Sequence, residues 1–279
     1  MDRRAFLATG GVLGATGLLH GAAEPLPPMP RIKLGKLEIS RFVLGSNPFF
    51  GYAHQPGNVG ARMKAWYTPE RIIAVMDEAA SYGVTAVATS PEQAWVEFWK
   101  RYRDGGGKLI TWLAQCHGAP EKMPEEILRA ARGGAGAIFF QGHRVESRFE
   151  TGKFAEVKTW LELAKVHGVP VGMAAHRPDV HLEAEELGFP TDFYYQCFYN
   201  VAHGETYRDE DRAKAIATIK ALPKPVIGYK LLAAGRNEPK AAFAYARAHL
   251  RPTDGMCVGI WNQDRPDELR QDVALALGA

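Results

Sequence analysis

The chain has 279 residues, 46% of them hydrophobic, which is enough for a sizeable core and argues against disorder. Lys and Arg number 34 against 31 Asp and Glu, so the basic field that nucleic acid needs is missing and no nucleic-acid partner is expected. The 29 Gly and 18 Pro are scattered as punctuation rather than gathered in a linker, and a single folded domain is expected.

Residues 1–23 read as a segment apart from the fold. Asp2-Arg3-Arg4-Ala5-Phe6-Leu7 resembles the twin-arginine export motif, a moderately apolar run covers 8–19, and Gly21-Ala22-Ala23 offers a small-residue cleavage site after Ala23. The apolar run is shorter than the roughly 20 residues that span a bilayer, so no stable membrane insertion is expected after processing. The expected location is periplasmic or secreted, with the twin-arginine export machinery as a partner. Substrates of that machinery cross the membrane folded, often with a cofactor or metal in place. The three cysteines, Cys116, Cys197 and Cys257, lie in strand-like runs without metal-site spacing. Pairing is open to an exported protein, but folding before export points to buried thiols.

Residues 24–38 form a Pro-rich lead-in and a candidate hairpin around Gly35-Lys36, placed to plug the bottom of a barrel. From 39 to 279, eight strand-plus-helix units follow. The strand-like runs are 39–47, 84–90, 109–115, 136–141, 169–175, 192–199, 225–232 and 256–261. A long loop is predicted over 48–68. Thr68-Pro69-Glu70 then opens a helix with Thr68 as cap and Pro69 at the first helical position. Ile72, Ile73, Val75, Met76, Ala79 and Ala80 give that helix one apolar face. Further helices are predicted over 121–132, 153–167, 179–187, 209–222, 239–249 and 266–277. Near-continuous apolar strands suit a sheet buried on both faces. Eight units in about 250 residues match a (β/α)8 TIM barrel of one domain. A doubly wound open sheet is the alternative, but the Gly-rich phosphate fingerprint expected after its first strand is missing.

Barrel sites are built from residues at the carboxyl ends of the strands. Read in order, those ends supply Asn47, Glu92, Gln115 with His117, Gln141 with His143 and Arg144, His176 with Arg177, Gln196 with Asn200, Lys230, and Asn262. Three histidines, His117, His143 and His176, close consecutive strands. Since neighbouring strands lie about 4.8 Å apart, they are candidate ligands of one divalent metal, Zn, Mn or Fe. The alternative is that each caps a loop or bonds a backbone carbonyl. Glu92, His143 and Lys230 are the candidate catalytic groups, although Glu92 also suits the first turn of a helix. Asn47, Gln115, Gln141, Arg144, Arg177, Gln196, Asn200 and Asn262 are the candidate substrate contacts. The other histidines, His181 among them, read as surface or helix-end residues.

Several stretches resemble the aldo/keto reductase family, itself a (β/α)8 barrel. Residues 40–47 (SRFVLGSN) resemble its first strand, and 137–143 its fourth, which makes His143 the counterpart of the family's catalytic His. Residues 226–235 (VIGYKLLAAG) resemble its seventh strand and turn. Val258-Gly259 with Pro266-Asp267-Glu268-Leu269 resembles the end of its cofactor region. The resemblance implies NADP-dependent carbonyl reduction, with Arg236 and Arg265 meeting the nucleotide phosphates. The family also needs an Asp ending strand two, a Tyr after it and a Lys ending strand three. Here the Asp position reads Ala88 or Thr89, residues 91–99 offer no clear Tyr, and strand three ends in Ala114-Gln115. Without the Tyr and the Lys that lowers its pKa, reduction loses its acid. The sequence therefore points to an exported barrel enzyme with a reductase-like scaffold. Its expected chemistry is metal-assisted or acid/base, of isomerase, lyase or hydrolase type, on a small hydroxylated, sugar-like substrate. An NADP-dependent reductase and a non-catalytic small-molecule-binding barrel are the alternatives.

Overall fold

A computed structural model describes residues 25–200, 204 and 206–279; residues 1–23, for which the sequence leads one to expect an export signal, lie outside them. Two short strands, β1 (Arg31–Leu34) and β2 (Leu37–Ser40), form an antiparallel hairpin. Eight parallel strands follow: β3 (Phe42–Gly45), β4 (Ala86–Thr89), β5 (Thr111–Cys116), β6 (Ala137–Phe140), β7 (Val171–Ala175), β8 (Phe193–Cys197), β9 (Val226–Tyr229) and β10 (Gly255–Gly259). They pair in chain order, and β10 pairs with both β9 and β3, which closes the barrel and excludes the open sheet. Around it run α1 (Val59–Trp66), α2 (Pro69–Ser81), α3 (Gln93–Asp104), α4 (Met123–Arg132), α5 (Gly142–Glu150), α6 (Ala155–Lys165), α7 (Asp179–Glu186), α8 (Asp209–Ala221), α9 (Pro239–His249) and α10 (Glu268–Leu277). Among the described residues no helix is long and apolar enough to cross a membrane.

The strands read as unbroken apolar runs because both faces are covered. Along β6, Ala137 and Phe139 join the cluster inside the barrel, while Ile138 and Phe140 join the shell beneath the helices. This is the two-residue alternation of a strand, filled on both sides. The hairpin supplies the floor: Ile32, Leu34 and Ile39 belong to the interior cluster. Ile39 is therefore a plug residue, and the first barrel strand begins only at Phe42.

Two predicted connections contain helices. The loop over 48–68 holds a 3-10 turn at Asn47–Phe50 and then α1. After β6 the chain enters α5 at once, before α6 takes up the predicted helix. α5 is polar along most of its length, so no apolar period announces it. The cap of α2 is as expected, with the Thr68 hydroxyl accepting the Arg71 N–H at 3.4 Å. His181 on α7 is fully buried rather than at the surface, and its Nε2 meets the Tyr195 carbonyl at 3.0 Å. None of the three cysteines forms a disulfide.

Candidate functional site

The strand alternation decides which residues face the barrel mouth. Continuing the interior rows upward from Leu113, Phe139, Ala174 and Ile227 gives Gln115 on β5 with His117 just after it, Gln141 after β6, His176 after β7 and Tyr229 on β9. Most barrel strand residues are sealed from solvent, yet Gln115, Tyr229, Cys257 and Gly259 are partly exposed. Solvent therefore reaches into the carboxyl end of the barrel. On the β10–β3–β4 side the strands pack closely: a Cβ at Gly45 would lie 3.0 Å from the Gly259 backbone nitrogen, and one at Gly259 would lie 2.7 Å from the Pro48 ring. Tyr195 stacks on Phe139 at 4.2 Å between ring centres and floors the well. Two open hollows at the other end, one lined by Lys36, Lys165 and Asp192 and one by Arg31, Lys33 and Glu38, lie away from these strand ends.

His176 is the most tightly organised residue of the mouth. α5 packs against β7 and places Glu146 behind the strand end. The Glu146 carboxylate accepts the backbone N–H groups of His176 and of Arg177, the latter at 2.8 Å, and its other oxygen lies 2.9 Å from His176 Nδ1. The side chains of Glu146 and His176 are only 3% and 14% exposed. Burial alone would raise the Glu146 pKa, but the hydrogen bonds and charge of His176 and the two backbone donors outweigh it and hold the carboxyl below its ordinary range. With Nδ1–H given to the carboxylate, the neutral ring keeps its Nε2 lone pair free of any described protein partner. The ring sits edge-on to Tyr229 at 5.7 Å. Burial keeps the Tyr229 hydroxyl protonated well above its ordinary range. Gly142 makes the approach of α5 to this ring feasible, since a Cβ there would lie 3.2 Å from His176 Nδ1.

A second group forms beside β5. His117 Nε2 lies 3.0 Å from Glu92 Oε1, and Glu92 stands at the N-cap of α3. Glu126, buried on α4, accepts the backbone N–H groups of His117 and Gly118 at 2.8 and 2.9 Å. Arg144 Nε donates to the His117 carbonyl at 2.7 Å. Glu92, His117 and Glu126 each offer a ligand atom within 4.8 Å of the others.

The remaining candidates are dispersed. The three predicted histidine ligands do not converge: Glu92, His117 and Glu126 are the one group of three His, Cys or carboxylate side chains so gathered among the described residues. His143 is exposed on the first turn of α5, because the chain turns helical right after Gln141, and His176 is tied to Glu146. Arg177 is paired with Glu150 and Asp179 and lies over Phe149. Lys230 follows β9 in a left-handed conformation with φ 58°, its ammonium 5.9 Å from the Tyr207 ring. Gln196 is fully buried behind the wall, its Nε2 donating to the Cys197 carbonyl at 2.9 Å. Asn262 accepts from the Trp66 indole at 3.2 Å and so fastens α1 to the loop after β10. Asn47 and Asn200 are exposed, whereas Gln115 and Gln141 line the mouth. Glu146 and Glu126 carry no motif in the sequence; the spacing of Val145 and Phe149 around Glu146 is the one local sign of α5.

No family model matches the chain, and no curated protein matches it. Two solved structures described as a "putative aldo-keto reductase" from Pseudomonas aeruginosa share its fold. One is 16% identical with a TM-score of 0.64, over 89% of this chain and 95% of that one. The other is 17% identical with a TM-score of 0.61, over 91% and 94%. At such identity the likeness is one of fold. The chain is a single-domain (β/α)8 barrel of the architecture those proteins share.

Proposed function

We propose that this protein is a barrel enzyme that moves protons on a small hydroxylated substrate, with His176 as the general base. The observation that carries this reading is the buried Glu146 carboxylate on His176 Nδ1. A carboxylate so placed fixes the tautomer and orientation of the ring and stabilises the imidazolium formed when Nε2 takes a proton. The acidic proton would be the one on carbon beside a carbonyl, which gives isomerisation or elimination. The amides of Gln115 and Gln141 orient the substrate's hydroxyl groups, and Tyr229 offers a neutral O–H beside the base. Glu146 is a positioning residue, since it acts through His176.

The fold neighbours' description keeps NADP-dependent reduction as the second reading. The residues here do not fit that cofactor well. Arg236 donates to the carbonyls of Ala233 and His54, Arg265 is paired with Glu268, Ala88 or Thr89 stands where the family's Asp is needed, and strand three ends in Ala114-Gln115 without its Lys. The export reading of residues 1–23, with a periplasmic or secreted location, belongs to the same proposal.

The test is deuterium uptake from D2O into small hydroxycarbonyl compounds, followed by NMR, beside a fluorescence titration with NADPH. Catalysed exchange that falls about 100-fold or more in His176→Gln is expected, the size typical of losing a general base. Saturable micromolar NADPH binding, with reduction unaffected by that substitution, would establish the reductase reading instead.

A further inference from the structure

We propose that Glu92, His117 and Glu126 form a binding site for one divalent transition-metal ion of the Zn or Mn class on the rim of the mouth. The inference goes beyond the acid/base reading and does not depend on it. Three separate elements deliver the ligands: the N-cap of α3, the segment after β5, and α4. Their donor atoms lie within 4.8 Å of one another. A tetrahedral ion with bonds of about 2.1 Å would bring donors to about 3.4 Å apart. The required contraction is small, and the Glu92 side chain, 58% exposed, is free to supply it.

The other two ligands are already held. The Glu126 side chain is 8% exposed, and one of its oxygens accepts the two backbone N–H groups of His117 and Gly118. Its second oxygen makes no hydrogen bond, and Arg129 lies 3.9 Å from it. Gly118 allows this approach, because a Cβ there would come within 2.8 Å of that same oxygen. Arg144 holds the His117 carbonyl from the other side. Fixed outer partners of this kind orient metal ligands and keep a site open before the ion arrives. The charge balance agrees. A simple His–Glu pair needs one carboxylate, whereas here a second, mostly buried one is added at close range. Two carboxylates so near repel each other; Arg129 offsets part of the Glu126 charge from 3.9 Å but is shared with Glu125, and a cation between Glu92 and Glu126 would relieve the rest. One imidazole with two carboxylates suits Zn(II) or Mn(II), and three protein ligands leave positions for water or a substrate oxygen.

The test uses the untagged full chain, freed of metal with a chelator and titrated calorimetrically with Zn(II) and with Mn(II). One equivalent should bind at micromolar affinity or tighter. Glu92→Gln and His117→Gln should each weaken it at least tenfold. Both sites are partly exposed, so the folded variants can be checked by circular dichroism, and His176→Gln should leave the affinity unchanged. Absence of binding overturns the proposal. So does binding that survives both substitutions, or that is lost with His176→Gln.

Discussion

Glu146 is the residue on which the mouth depends most. Its carboxylate satisfies two backbone donors and one ring donor in a setting closed to water. Glu146→Ala would strand all three, and a buried donor left unpaired costs about 1–3 kcal/mol. A loss of at least about 3 kcal/mol is therefore expected, read as a lower urea midpoint. An unchanged midpoint would show that the carboxylate holds nothing together. The pH dependence has a definite sign. Because the folded-state pKa of Glu146 is depressed, its ionisation contributes stability that is full above the unfolded value of about 4.3 and is lost as pH falls through the lower folded value. Between neutral pH and pH 3, the wild type should lose more stability than Glu146→Ala does.

At the scale of elements, the hairpin and α10 make opposite kinds of contribution. β1 and β2 close the barrel with side chains that water never reaches; Leu34 and Ile39 are both 0% exposed. Leu34→Ala leaves a cavity in the barrel floor and should cost about 3 kcal/mol, measured by denaturant unfolding. A loss under about 1 kcal/mol would mean that the plug is dispensable. Helix α10 carries a cost instead. Glu268 and Asp272 are 6% and 3% exposed, one turn apart, and each keeps a buried oxygen without a hydrogen-bond partner. Burial, joined by the nearby Glu268, pushes the Asp272 carboxyl up to about 7. A raised acid is stabilising only while protonated, so stability should fall as pH rises from about 4 through 7. Asp272→Asn imitates the protonated form. It should raise the melting temperature by about 3 °C or more at pH 8.5 and change it little at pH 5. The same increment at both pH values would remove titration as the cause.

At the scale of the molecule, the barrel separates stability from chemistry. The plugged end and the layered interior are apolar and sealed, while Gln115, Gln141, His117 and His176 collect at the open end. That division lets a barrel fold carry an organised histidine at its mouth whatever chemistry its fold neighbours perform, since chemistry resides in the site rather than the fold. Export is tested on the whole chain. Replacing Arg3 and Arg4 together by Lys should retain the precursor in the cytoplasm, followed by fractionation and immunoblotting. Normal processing of the double variant would refute the twin-arginine assignment.

The barrel itself was legible in the sequence. Apolar runs of strand length recur between helical periods, and caps such as Thr68-Pro69 and the Pro239 start of α9 mark boundaries through local geometry. Placement of polar residues at the strand ends followed from the fold, and that much of the mouth could be named in advance. The convergence of side chains could not. His143 reads in the sequence as a strand-end ligand because α5 lacks an apolar period. Only its docking on β7 turns His143 to solvent and brings Glu146 to His176, 30 residues further along. Glu126 likewise gains its place from the backbone donors at the end of β5, reached through the packing of α4. Sequence periodicity records which face of an element is buried. Which two elements then meet, and at what register, is set by non-local packing, and only the closed tertiary structure decides it.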